Sequence, residues 1–241
     1  MPMKSTDMHT THIPPLEWTD ADAQKVVRNH QDSAARAAVQ LWEAACEIDT
    51  GLTTDIVSAA EEAEMACIGL TKRVQSPAEM RETLLSYQDE RASVHGEYRA
   101  PAATVIGDRG GPFRFTVLVT THDRLLHSAV RFVRALQSRE WEIDAIVHSY
   151  RRGSLRKAFA ITATAPNGGR TNIRLHSNDS IAAEELAAED WKTYTDSVKG
   201  ARERQAAKGQ CQESAALVPA PDGLDRITAI GGVPVSIKLY T

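Results

Sequence analysis

The chain has 241 residues, of which 42% are apolar and 25% charged, with a formal net charge of −4. These are the proportions of an ordinary globular protein, long enough for one large domain or two small ones. No apolar run approaches the roughly eighteen residues of a membrane helix. The opening Met1–Asp7 lacks a signal-peptide core, and three cysteines (Cys46, Cys67, Cys211) are odd in number and without metal-like spacing. The expectation is a soluble, cytoplasmic chain with reduced thiols and no membrane partner.

Residues 1–17 read as a disordered leader, polar and ending at Pro14-Pro15. His9 and His12 lie in it, and a metal would need further ligands at fixed geometry. Three helical segments follow over 18–95. The first starts after Thr19 or Asp20 and repeats apolar residues at Val27, Ala34, Ala38, Leu41, Ala45 and Ile48, until Asp49-Thr50-Gly51 stops it. The second runs from about Thr54, with Ile56, Ala60, Ala63, Cys67 and Leu70 on one face. The third is capped by Ser76, places Pro77 first and completes a capping box with Glu79; Met80, Leu84, Tyr87 and Val94 form its stripe. Small Ala-rich seams predict a helical arm or an antiparallel three-helix bundle. Glu43 and Glu47 read as part of a solvated acidic face, because no repeated Glu and His pattern of a bundle metal site accompanies them.

Residues 96–112 form a linker rich in turn residues. Its Asp108-Arg-Gly-Gly-Pro reads as a turn, since no Gly-Lys-Ser/Thr follows. From 113 the pattern changes. Phe113–Thr120 alternates as a strand. A helix over 123–138, capped by Thr121 or Asp123, buries Leu126, Ala129, Val130, Val133 and Leu136. Strands are expected at Trp141–Tyr150 and Ala158–Ala165, then a turn at Pro166-Asn-Gly-Gly and a strand at Thr171–His176. A helix over 180–207 shares Ala187, Trp191, Tyr194 and Val198 on one face; 208–225 reads as a mobile connection, and Ile227–Tyr240 as the last strand, where Gly231-Gly232-Val-Pro234 makes it a hairpin or an edge strand and not one long central strand. The fold class expected is α+β: an N-terminal all-α arm or three-helix bundle followed by a ferredoxin-like β-α-β-β-(α-β) sandwich over 113–241.

Charge is unevenly distributed. Residues 1–100 carry nine Lys/Arg against seventeen Asp/Glu, 105–178 twelve against five, and 179–241 seven against ten. A basic middle between acidic arms suits an anionic partner or contact between the protein's own parts. The densest basic cluster is Arg151, Arg152, Arg156 and Lys157, and Arg124, His127, Arg131 and Arg134 line one face of the helix before it. Phosphate contacts from such residues give salt-dependent affinity. Lys157-Ala-Phe159-Ala-Ile161 resembles in part the third strand of an RNA-recognition sheet, with Phe159 as its one aromatic. His122, His148 and His176 fall near strand ends, but no nucleophile elbow, zinc motif or dinucleotide fingerprint accompanies them. No catalytic residue, metal ligand or cofactor is assigned.

The function expected is therefore non-enzymatic. A basic α+β unit would contact nucleic acid through Arg124, Arg131, Arg134, Arg151, Arg152, Arg156, Lys157 and Phe159, while helices 18–95 mediate homo-oligomerisation or recruit a protein partner. The alternatives are an adaptor that docks its acidic helices against its basic unit, and an enzyme of unrecognised class.

Overall fold

The computed structural model describes residues 13–95, 100–196 and 198–239. His9 and His12 therefore lie outside the described residues. Among those described, no helix is long and apolar enough to cross a membrane.

Two helices open the chain. Helix α1 (Asp20–Asn29) begins at Thr19, whose backbone N–H and hydroxyl both donate to Asp22. Helix α2 (Ser33–Glu62) begins at Asp32, whose carboxylate accepts the Ala35 N–H at 2.7 Å. The sequence expectation breaks the chain at Asp49-Thr50-Gly51, but α2 runs straight through it. An interior glycine costs about 1 kcal/mol relative to alanine. Burial of Asp49, Leu52, Thr53, Ile56 and Val57 on the same stretch outweighs that.

Beyond α2 come the short strand β1 (Ala66–Ile68) and helix α3 (Pro77–His95). The capping box of α3 forms as expected: the Glu79 N–H donates to Ser76 Oγ at 3.1 Å, and the Ser76 N–H to Glu79 Oε2 at 3.0 Å. The three helices do not make a clear bundle, because α2 packs against α3 and also shares the main core with the sheet and α5. The expected linker holds helix α4 (Ala102–Asp108), which buries Val105 and Ile106.

The sheet adds β2 (Phe113–Val119), β3 (Glu142–His148), β4 (Phe159–Thr164), β5 (Arg170–Ser177), β6 (Ala229–Ile230) and β7 (Val233–Ile237), with helix α5 (Leu125–Gln137) between β2 and β3. Its order is β1-β2-β5-β4-β3-β7-β6. The pairs β2–β5 and β3–β7 are parallel and the others antiparallel, so β2, β5, β3 and β7 run the same way. This corrects the ferredoxin-like expectation. A split β-α-β unit would place one strand between β2 and β3; here both strands of the β4–β5 hairpin lie there, and the last strand joins the β3 side. The supported description is an N-terminal helical region followed by a mixed seven-stranded sheet.

After β5 the chain forms α6 (Asn178–Leu186), α7 (Ala188–Thr195) and α8 (Ala201–Ala216). Helix α8 thus occupies part of the stretch expected to be mobile, because Ala207, Cys211, Ser214 and Ala215 are buried. Trp191 and Tyr194 pack with Ala187, Leu155 and Cys211, but Val198, expected on that face, is exposed. One face of the sheet carries the main core: Phe113, Phe115, Val117, Phe159, Ile161, Ile173 and Leu175 cluster with Ala38, Trp42, Leu52 and Ile56 of α2 and with Phe132, Val133 and Leu136 of α5.

Candidate functional site

Strand alternation sends the intervening side chains to the opposite face. On β2 these are Arg114, Thr116 and Leu118, and on β5 Asn172, Arg174 and His176. In the parallel register Arg114 lies opposite Asn172, Thr116 opposite Arg174 and Leu118 opposite His176. Arg114 and Arg174 are therefore diagonal neighbours on one face of two central strands. Beside them on β4, Thr162 pairs with Asn172 and the small Ala160 with Arg174. Arg114 is exposed, while Thr116, Thr162, Asn172 and Arg174 are only half-buried, so this face is open where the other is sealed.

Neither guanidinium forms an ion pair or side-chain hydrogen bond among the described residues. Although part of its surface is exposed, Arg114 has its pKa pushed down, first by desolvation and further by Arg174; Glu79, at the start of α3, pulls it back. Its backbone is fixed by donation from the Arg114 N–H to the Arg73 carbonyl at 2.7 Å. Two adjacent, unneutralised arginines make a positive surface that a phosphate or carboxylate would complete.

Helix α6 closes this face at the end of β5. Ser177 caps the helix, and Ser180 Oγ takes the Ser177 N–H at 2.9 Å and meets His176 Nδ1 at 3.1 Å. Burial lowers the His176 pKa, Glu184 opposes that shift, and Arg174 and Arg156 add to it. Glu184 is thus near His176, with one carboxylate oxygen buried and without a hydrogen-bond partner among the described residues. Tyr150 packs against the same helix, and burial pushes its hydroxyl pKa up. His122 bridges Ser177 Oγ (2.8 Å) and the Pro219 carbonyl (2.9 Å). Its Nε2 must carry the proton to donate to the carbonyl, so Nδ1 accepts from Ser177. Ser177 is wholly buried and serves as a cap, which makes this Ser–His contact structural. Among the described residues no group of three or more His, Cys, Asp or Glu is arranged to hold a metal ion.

The residues expected to touch nucleic acid do not form one surface. Arg124 and Arg131 both pair with Glu64, and Arg131 also donates to the Glu62 carbonyl at the C-terminal end of α2. Arg156 lies 3.7 Å from the centre of the Trp191 ring. Lys157 is buried, its Nζ donating to the Arg151 carbonyl at 2.5 Å, and Phe159 is fully buried, stacked on His148 at 6.2 Å. Arg134, Arg151 and Arg152 are exposed with no side-chain partner among the described residues, and Arg124 is exposed while paired with Glu64. The sequence reading passed over Arg114 and Arg174. The available signal was an arginine at the polar phase of two strands, each flanked by large apolar residues on both sides.

No protein-family model matches the chain, and no curated protein matches it. Several solved structures are similar. Small alarmone synthetase 1 from Bacillus subtilis is 10% identical, covering 77% of this chain and 93% of that one, with a TM-score of 0.45. A GTP pyrophosphokinase family protein from Streptococcus pneumoniae is 13% identical, covering 77% and 90%, with a TM-score of 0.44. A chain from the complex between the type VI effector Tas1 and its immunity protein is 15% identical, covering 76% and 94%, with a TM-score of 0.41.

The expectation of a non-enzymatic nucleic-acid-binding or adaptor protein is corrected. Of the residues on which that expectation stood, Arg124 and Arg131 are paired with Glu64, Arg156 is stacked on Trp191, and Lys157 and Phe159 are buried.

Proposed function

We propose that this chain is an enzyme that acts on a phosphate-bearing small molecule held across the open face of the sheet. The observation that carries the reading is the Arg114–Arg174 pair: like charges on adjacent central strands, with no carboxylate bonded to either among the described residues. Two guanidinium forks are suited to the oxygens of a phosphate group, and each such contact is charge-assisted. Asn172, Thr116 and Thr162 add neutral polar groups on the same face for the rest of the substrate. Glu79 at one rim and Glu184 at the other are the nearby carboxylates from which proton transfer would be drawn. The reaction class that fits is transfer or hydrolysis at a phosphate, where catalysis is largely positioning and charge stabilisation.

The test is a panel of phosphate-bearing compounds, measured for binding by calorimetry and for turnover by chromatography, with and without Mg²⁺. GTP, which is named in one similar structure, heads the panel. Arg114→Ala and Arg174→Ala should each weaken binding by about tenfold to a hundredfold, the value of a hydrogen bond to a charged group, while the folded state is kept. Affinities unchanged in both folded variants, or no binding by any phosphate compound, would remove the site.

A further inference from the structure

On the opposite face of the sheet, beyond the far edge of α5, lies a cavity of about 230 Å³. It is distinct from the arginine pair. His148 shares the phase of the buried Ile146 on β3, and the register sets Ile237 of β7 opposite His148 and Val235 opposite Ile146. The roof is the segment 217–228. It is tied down by His122 donating to the Pro219 carbonyl and by the burial of Val218 and Leu224. A Cβ built on Gly223 would lie 3.6 Å from Leu126 Cδ2, so this strap runs beside α5.

The buried rings of His148 and Tyr150 line the inner end of the cavity, and the rest of its lining has two parts. Leu224, Ile227, Val235 and Ile237 make an apolar wall. Arg151 and Asp225, from the two sides, supply opposite charges, and both are exposed. Arg151 has no side-chain hydrogen bond or ion pair among the described residues. Asp225 has only a 3.9 Å contact with its neighbour Arg226, both more than 80% exposed. The parallel pair β3–β7 ends here, the position where open sheets commonly receive ligands.

We propose that this cavity binds a small zwitterion with an apolar side chain, an α-amino acid of about the size of leucine. Its carboxylate meets Arg151, its ammonium meets Asp225, and its side chain lies against Leu224, Ile227, Val235 and Ile237. Size agrees: at the ~30 Å³ that a water molecule takes in the liquid, the space holds roughly eight non-hydrogen atoms, against about nine in leucine. A molecule with one charge would leave either Arg151 or Asp225 unmatched, and a larger metabolite would not fit beneath the strap.

Calorimetric titration of the full chain with L-leucine tests this, alongside isovalerate and isoamylamine, each of which lacks one charged group. Saturable binding of L-leucine is expected, weakened about tenfold or more for both single-charge analogues. Arg151→Gln and Asp225→Asn should each reproduce that loss, and Leu224→Trp, which fills the cavity, should abolish binding. Because Leu224 is buried, the two surface variants keep the test valid if Leu224→Trp does not fold. Absence of saturable binding, or binding indifferent to both surface variants, overturns the proposal. Neither result bears on the arginine pair, since Arg114 and Arg174 lie on the other face.

Discussion

Replacing Asp49 by alanine should be among the most damaging single changes in this chain. Asp49 and Arg73 form a two-pronged ion pair, Nε to Oδ1 at 2.7 Å and Nη2 to Oδ2 at 2.5 Å, with side chains only 6% and 4% exposed. Thr53 Oγ1 donates to the same carboxylate at 3.0 Å, and Arg73 Nη1 reaches the Pro14 and Leu70 carbonyls at 2.8 and 2.7 Å. All three guanidinium nitrogens of Arg73 therefore donate. Asp49→Ala leaves a buried guanidinium with two donors unmatched, a situation that costs about 3–5 kcal/mol. For a chain of this length each kcal/mol lowers the melting temperature by about 2–4 °C, so a fall of roughly 6–20 °C is expected. Urea unfolding followed by circular dichroism measures it. The double change Asp49→Leu with Arg73→Met should recover most of the loss, because the desolvated charge goes with its partner. A single Asp49→Ala within about 1 kcal/mol of the parent would refute the reasoning. The effect also reaches the site, since the Arg73 carbonyl accepts the Arg114 N–H.

Two further outcomes follow from local geometry and titration. At Gly111 (φ +85°) an added Cβ would stand 2.0 Å from the Arg170 carbonyl oxygen, whereas at Gly153 (φ +84°) it meets nothing within 4 Å. Gly153→Ala should cost only backbone strain, about 1–2 kcal/mol, and Gly111→Ala clearly more; equal urea midpoints would contradict this. His148 and His176 both have their pKa held below the ordinary 6.5, chiefly by desolvation. The unfolded chain then takes up protons near that value before the folded one does, so stability is full above it and falls as the pH drops below. Urea midpoints at about pH 7.5 and 5.5 should differ in that sense, and His148→Phe, which preserves the stack on Phe159, should shrink the difference; a flat profile in the parent would count against the assignment.

Much of the chain was legible locally. The strands around Phe115, Ile146, Ile161 and Ile173, the amphipathic helix α5 and the Ser76–Glu79 capping box all follow from short-range pattern and side-chain chemistry. What failed was what depends on distant residues. Gly51 reads as a stop, yet it is carried within α2 because Leu52 and Ile56 beyond it belong to the same buried stripe as Ala38 and Ala45. Strand order was misjudged because periodicity shows which face a residue occupies and not which strand lies next to it. The insertion of β5 between β2 and β4 is what brings Arg174 to Arg114. They lie sixty positions apart in sequence, so no spacing rule could join them.

The charge asymmetry misled for a related reason. A basic stretch signals a partner only if its cations still lack counter-ions once the chain has folded. Here the acidic arm supplies many of them: Glu64 takes Arg124 and Arg131, and Glu62 takes Arg139. These pairs are largely exposed and add little to stability, but they neutralise Arg124 and Arg131 of the stripe that looked most like a phosphate track. Arg114 and Arg174 differ from Arg134, Arg151 and Arg152 in where they stand. The latter three are on helix or loop surface, where an unpaired guanidinium needs a second feature, such as the cavity beside Arg151, before it points to a ligand. Arg114 and Arg174 stand side by side on central strands, and Arg174 adds to the desolvation that holds the Arg114 pKa down. Two like charges fixed on adjacent strands, with no ion pair to either among the described residues, are what the proposed anion site rests on, more than any local excess of charge.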